Sequence, residues 1–217
     1  IRHTPERFPY HKDDLRHKRI TSDERQSSNA VIMCIMDTSG SMGIVKKYLA
    51  RSFYYLLYHF IKTKYQNTEI VFIAHHTEAK VVNEEEFFHK VESGGTYISS
   101  GYKAALDLIE TKYSPQAWNI YAFHCSDGDN FYSDNDLALD LASKLSDVCN
   151  LFGYGEIKPQ GSAYYSGSMT DVFKKLSNTN FRSLVIEKKE DVWPALKGFL
   201  LSDANTTTLD GQDGDNR

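Results

Sequence analysis

The stretch Asp37-Thr38-Ser39-Gly40-Ser41 follows an almost wholly apolar run, Val31–Ile35, and sets an acid and three hydroxyl residues around one glycine. Small polar side chains pack poorly. They serve as oxygen ligands of a hard cation, as donors to a phosphate, or as Asx-turns and helix caps. Two further stretches carry the same chemistry: Gly94-Gly95-Thr96 and Ser126-Asp127-Gly128-Asp129. Together they offer the hydroxyls of Ser39, Ser41 and Thr96 with the carboxylates of Asp37, Asp127 and Asp129, and no histidine or cysteine. An all-oxygen set suits Mg2+, Mn2+ or Ca2+ rather than zinc. Mg2+ takes about six ligands in near-octahedral geometry and keeps several waters. Three hydroxyls and one or two carboxylates leave a place open. Neutral hydroxyls offset little of the metal's charge, so that place should attract an anionic ligand.

The plainer readings of the same residues are explicit. Ser41 could simply cap a helix beginning near Gly43. Asp129, Asn130, Asp134 and Asp136 could hold a second cation or present an acidic face; a solvated loop and cap is the favoured reading. Phe131 stands where the D-x-[DN]-x-[DN]-G calcium loop needs its third ligand. His75 and His76 end a strand on the same rim. Adjacent strand residues point to opposite faces, so at most one aims at the site. His76, Gly40, Gly95 and Asp129 are the candidates for a supporting or partner-facing role. His124, inside Tyr121–Cys125, reads as a satisfied core histidine. Cys34, Cys125 and Cys149 read as small buried hydrophobes. Glu84–Glu86 read as solvated surface.

The elements that must position these residues alternate. Strands are predicted at Val31–Met36, Glu69–His75, Trp118–Ser126, Val148–Tyr154 and Phe181–Ile186, with a short hairpin or edge strand at Ala79–Val82. Helices are predicted over 43–63, 99–112, 134–145, 169–176 and 190–200. Alternation of this kind gives a doubly wound, mostly parallel α/β sheet with helices on both faces, Rossmann-like in kind. Functional sites of such sheets lie outside the carboxyl ends of the strands, at the switch point. Asp37 and Asp127 both fall at predicted carboxyl ends.

The chain has 217 residues, 41% apolar and 13% aromatic, with formal net charge -4 and pI about 6.1. That composition fits one α/β domain with flanks and does not point to nucleic acid. Residues 1–29 read as a polar lead-in or connector, 30–202 as the domain, and 203–217 as a disordered tail. No apolar run approaches the roughly 20 residues of a membrane span, so no membrane partner is expected. Three cysteines without paired spacing suggest a reducing, cytoplasmic setting.

Asp37, Ser39, Ser41, Thr96 and Asp127 match, in order, the metal-ion-dependent adhesion site of von Willebrand factor A domains, which the chain resembles. The resemblance implies that Ser39, Ser41 and one or more of Thr96 and Asp127 touch the metal, that Asp37 acts through water, and that a partner's Asp or Glu completes the shell. The stretches "MDTSGSMG", "FIAHHTEAKVV", "EEEFF", "ESGGTYISSG", "HCSDGDN" and "FGYGEI" together resemble the bacterial YeaH/YhbH family. The likeness covers roughly residues 5–200 and implies that the chain is the C-terminal portion of a longer protein. It also implies a sporulation or stress-response setting, with a PrkA-type serine kinase/ATPase or SpoVR as associates.

Three functions of different class are expected to compete. One is a metal-dependent protein-interaction module. Another is a metal-dependent hydrolase or phosphatase using Asp37. Against it, the second acid wanted two residues on is replaced by Ser39, and neither G-x-x-x-x-G-K-[ST] nor G-x-S-x-G occurs. The third is a structural component whose metal only stabilises the loops. A non-enzymatic interaction module is the expectation carried forward.

Overall fold

The computed structural model describes residues 29–63, 65, 67–89, 94–159 and 168–200. The lead-in before Asn29 and the tail 203–217 lie outside the described residues. The elements run β1 (Asn29–Asp37), α1 (Ile44–Lys62), β2 (Asn67–His75), β3 (Ala79–Val82), α2 (Glu84–His89), α3 (Ile98–Thr111), β4 (Trp118–Ser126), α4 (Asn135–Val148), β5 (Leu151–Ile157), α5 (Met169–Phe173), β6 (Phe181–Ile186) and α6 (Val192–Leu200).

A continuous apolar strand can satisfy itself only between two helical layers. β1 does so. Its odd residues, Val31, Met33 and Ile35, pack with Tyr102 and Ala105 of α3, Ala138 and Ala142 of α4, and Phe173 of α5. Its even residues, Ile32, Cys34 and Met36, pack with Leu49, Phe53 and Leu57 of α1, Phe87 of α2 and Leu196 of α6. The sheet order is β3-β2-β1-β4-β5-β6. Every pairing is parallel except β2 with β3. This is the doubly wound fold read from the sequence. The chain leaves β1 toward β2 on one side and returns to β4 on the other, so the order reverses between β1 and β4. The register Met36↔Cys125 there brings Asp37 and Ser126 to one rim.

Two details differ from the sequence reading. The sequence reading gives the α2 segment only as acidic surface. Its glutamates are exposed, but Phe87 is fully buried and draws the segment onto the sheet. Asn83 and Glu86 close its first turn: Glu86 N–H donates to Asn83 Oδ1 at 2.9 Å, and Asn83 N–H donates to Glu86 Oε2 at 3.4 Å. β5 begins three residues later than expected and runs on to Ile157, because α4 keeps its helical turn to Val148. The shift carries Glu156 to the rim.

Candidate metal centre

The first loop is built around Asp37. Its side chain is fully buried; Oδ1 accepts the Ser39 N–H at 2.8 Å and Oδ2 accepts the Ser126 hydroxyl at 3.0 Å. Burial pushes its carboxyl up to about 7, and the charge of Asp127 adds to the rise; the hydrogen bonds from Ser39 and Ser126 pull the other way. Thr38 ties the loop to the end of β2, its N–H and hydroxyl both donating to the His75 carbonyl, at 2.8 and 3.1 Å. Met42 is buried, and its N–H donates to the Ser39 carbonyl at 3.1 Å, closing the turn. These constraints bring Ser39 Oγ and Ser41 Oγ within 3.0 Å of each other. Ser41 does not cap α1. Gly43 holds the cap position with no side-chain bond.

The second loop, after β4, turns on Gly128, whose φ of 85° is open to glycine but costly for other residues. Gly128 N–H donates to Ser126 Oγ at 3.2 Å, and Asp129 N–H donates to Asp127 Oδ1 at 3.2 Å. A Cβ on Gly128 would stand 2.6 Å from Cδ of Glu156. Glu156 is fully buried at the end of β5 and accepts from Thr170 N–H and Oγ1, both at 2.8 Å, and pairs with Lys158 at 2.5 Å. Burial raises the Asp129 carboxyl, with Asp127 adding. Asn130 and Asp134 serve the loop-and-cap role. Asn130 Oδ1 accepts the Ile98 N–H at 3.0 Å, and Asp134 accepts the Ser99 N–H at 3.0 Å and the Ser99 hydroxyl, so both cap α3.

The third loop carries Thr96, which is buried. Its carbonyl accepts the Phe131 N–H at 3.2 Å, and the Phe131 ring covers Gly95 so closely that a Cβ there would meet it at 2.2 Å. Tyr97 N–H donates to the His76 carbonyl at 2.7 Å. His76 is half-buried beside Gly94, with Nδ1 2.9 Å from Thr77 Oγ1. Gly40 is exposed at the tip of the first loop. His75 is on the opposite face, fully buried, with Nε2 2.8 Å from His124 Nε2; His124 Nδ1 lies 2.9 Å from the Tyr102 hydroxyl. Burial lowers the His75 pKa to about 3, and burial followed by the neighbouring His75 drives His124 well below its usual value. His124 is thus the core histidine expected. His75 is a second one.

Sequence reasoning gave no role to Lys46. It reaches from the first turn of α1 to both loops: Nζ lies 2.7 Å from Asp127 Oδ2 and 3.0 Å from the Ser41 carbonyl oxygen. Its neighbour Lys47 is buried; burial lowers its pKa and the charge of Asp37 draws it back up. Nothing in the apolar periodicity of α1 marks these lysines, but their place in the turn after an acidic loop is a usable signal.

The donor set fits a hard divalent cation. Two acids and paired hydroxyls, all oxygen, line the rim, and the chain's own ammonium already bridges Asp127 and the Ser41 carbonyl, where a positive charge is wanted. Among the described residues no group of three or more His, Cys, Asp or Glu side chains gathers to hold a metal, at this rim or elsewhere; the set here is acids with neutral hydroxyls. Ser39, Ser41 and Asp127 would hold the cation with Thr96, and Asp37 would orient the loop and its waters.

Comparison with known proteins is consistent with the fold and silent on the site. A family model described as "Protein of unknown function (DUF444)" matches residues 1–203. A UPF0229 protein of Ruminiclostridium cellulolyticum is 59% identical over 198 residues, covering 90% of this chain and 49% of the relative. One from Clostridium perfringens is 52% identical, covering 91% and 50%. The chain therefore spans about half the length of the curated relatives it matches. Among solved structures, the PilB minor pilin from Streptococcus sanguinis superposes with a TM-score of 0.57 at 11% identity, covering 81% of this chain and 61% of that one. Proximal thread matrix protein 1 from the mussel byssus gives 0.53 at 12%, covering 79% and 45%. At such identities the likeness is one of fold.

Proposed function

The chain belongs to the DUF444 family, and we propose that its domain is a metal-ion-dependent protein-interaction module, in which a divalent cation at the switch-point rim captures an Asp or Glu side chain of a partner protein. One observation carries this choice over an enzyme or a purely structural metal. The oxygen-lined rim is flanked by side chains that burial inside the domain has left out: Ile44 is 90% exposed and Tyr132 is 91% exposed, with Val45, Tyr97 and Phe131 beside them. Large apolar groups left in water around a polar centre suit a protein interface. An aspartyl-phosphate phosphatase working through Asp37 would want a second acid two residues on, where Ser39 stands, and His75 and His124 are turned into the core.

The finer resemblances belong to the same proposal: a von Willebrand factor A-type adhesion site, membership of the YeaH/YhbH group, a cytoplasmic setting in sporulation or stress response, and a PrkA-type kinase/ATPase or SpoVR as candidate partners. Mg2+ is the preferred cation, with Mn2+ and Ca2+ as alternatives.

The test is calorimetric titration of chelator-treated protein with Mg2+, Mn2+ and Ca2+, beside Asp37→Asn and Asp127→Asn. Saturable binding that both variants lose supports the site. Binding that survives in both places the cation elsewhere.

A further inference from the structure

Lys46 occupies a position that helix electrostatics disfavours. It is the third residue of α1, where the exposed N–H groups of the first turn repel a cation and favour an acid. That first turn contains no acidic residue. What holds the ammonium there is the pair of bonds to Asp127 and to the Ser41 carbonyl. The Asp127 side chain is 2% exposed while that of Lys46 is 22% exposed. The acid is fixed and enclosed; the lysine reaches in from solvent on a flexible stem. A bond of this kind can be undone at the lysine end without disturbing the fold.

We propose that Lys46 is a tethered counter-ion of Asp127 that a divalent cation displaces, so that cation loading and exposure of a lysine ammonium on the rim are one event. This rests on the metal reading of the site given above. Asp127 Oδ2 is held at hydrogen-bond distance by the ammonium, and a cation bound through that oxygen must take its place. In the cation-free protein Lys46 neutralises an acid that would otherwise sit enclosed beside Asp37. In the loaded protein the freed ammonium adds a second positive charge next to the open coordination place. An acidic partner then meets both charges only after loading. Lys46 therefore sets the cation concentration at which the rim becomes attractive to carboxylates.

The experiment compares the 217-residue chain with Lys46→Met, Lys46→Gln and Lys46→Arg. Cation affinity is read by calorimetry with Mn2+ and Mg2+. The exposure of Lys46 is read by its rate of acylation with an amine-reactive ester, mapped by mass spectrometry, with the exposed Lys103 as internal reference. Removing a charged hydrogen-bond competitor should tighten cation binding about tenfold in Lys46→Met and Lys46→Gln. Lys46→Arg should stay near the parent. In the parent, saturating Mg2+ should raise the acylation rate at Lys46 severalfold and leave Lys103 unchanged. Equal or weaker cation binding in Lys46→Met, with the parent still binding, overturns the displacement and leaves the metal site standing. An unchanged acylation rate in a parent that binds the cation also overturns it, whatever the affinities. Absence of binding in the parent and all three variants overturns both the displacement and the metal reading.

Discussion

Ser126 on β4 donates its hydroxyl to Asp37 on β1 across 3.0 Å, joining the two strands at the point where the sheet reverses its order. The acid is therefore part of the scaffold as well as of the rim. Asp37→Ala should do more than remove cation binding. It leaves the Ser39 N–H and the Ser126 hydroxyl without their acceptor, at a cost of about 1–3 kcal/mol. Asp37→Asn keeps an acceptor for Ser39 and can donate to Ser126, so it should lose the cation without any fall in its unfolding midpoint in urea. Equal destabilisation by both variants would show that the charge, and not the hydrogen bonds, holds the loop.

Two buried groups titrate in opposite senses. Asp37 has its folded pKa raised to about 7 from 3.8, so cation-free protein is at its best with respect to this group below pH 4 and loses that contribution as pH rises to 7. His75 is lowered to about 3 from 6.5, so its contribution is complete above pH 6.5 and fades as pH falls toward 3. In chelator, the stability advantage of Asp37→Asn over the parent should grow from pH 4 to pH 7 and then level off. The variant alone should weaken steadily below pH 6.5, as the histidine requires. Urea midpoints measured at half-unit intervals test both trends.

Thr96 and Asp127 differ in what each can offer a cation. Thr96→Ala removes one neutral oxygen and should weaken Mg2+ binding by about tenfold or less, the range of one hydrogen-bond-sized contact. Asp127→Asn removes a full charge and should weaken it by a larger factor. Both effects are read by the same calorimetry. An order reversed between the two variants would displace Asp127 from the ligand set.

Gly128→Ala combines a strained φ of 85° with a Cβ that would meet Glu156 Cδ at 2.6 Å. The backbone term alone is about 1–3 kcal/mol. The loop must shift, and Asp127 with it. The variant should show a lowered thermal midpoint together with weakened cation binding. Gly40→Ala, where the added Cβ meets nothing within 4 Å, is the matched control and should leave both unchanged.

Much of this was legible in the sequence because it is carried by periodicity and by short local patterns. β1 reads as buried on both faces because every one of Val31–Met36 is apolar. The turns after β1 and β4 stand out because polar residues abruptly follow apolar runs. Lys46, Ser126 and Glu156 were not assigned roles for a common reason. Each matters through a side-chain contact with another segment, which no local pattern specifies. Glu156 was further hidden by Gly153 and Gly155. They make β5 look like a strand that stops at Tyr154, since glycine and glutamate are poor strand formers unless buried contacts override that preference. α2 is masked in the sequence because three glutamates precede a short buried face made by Phe87 with Phe88 partly buried beside it.

The end of β2 offers two consecutive carbonyls, and each is taken by a different loop. His75 O receives Thr38, and His76 O receives Tyr97. The Asp37 loop and the Thr96 loop thus hang from adjacent links of one chain. Transplanting either loop by itself into a related domain would leave the other pulling on a foreign anchor. To move this rim into another scaffold, the exchangeable piece is both loops together with the last turn of β2 that spaces them.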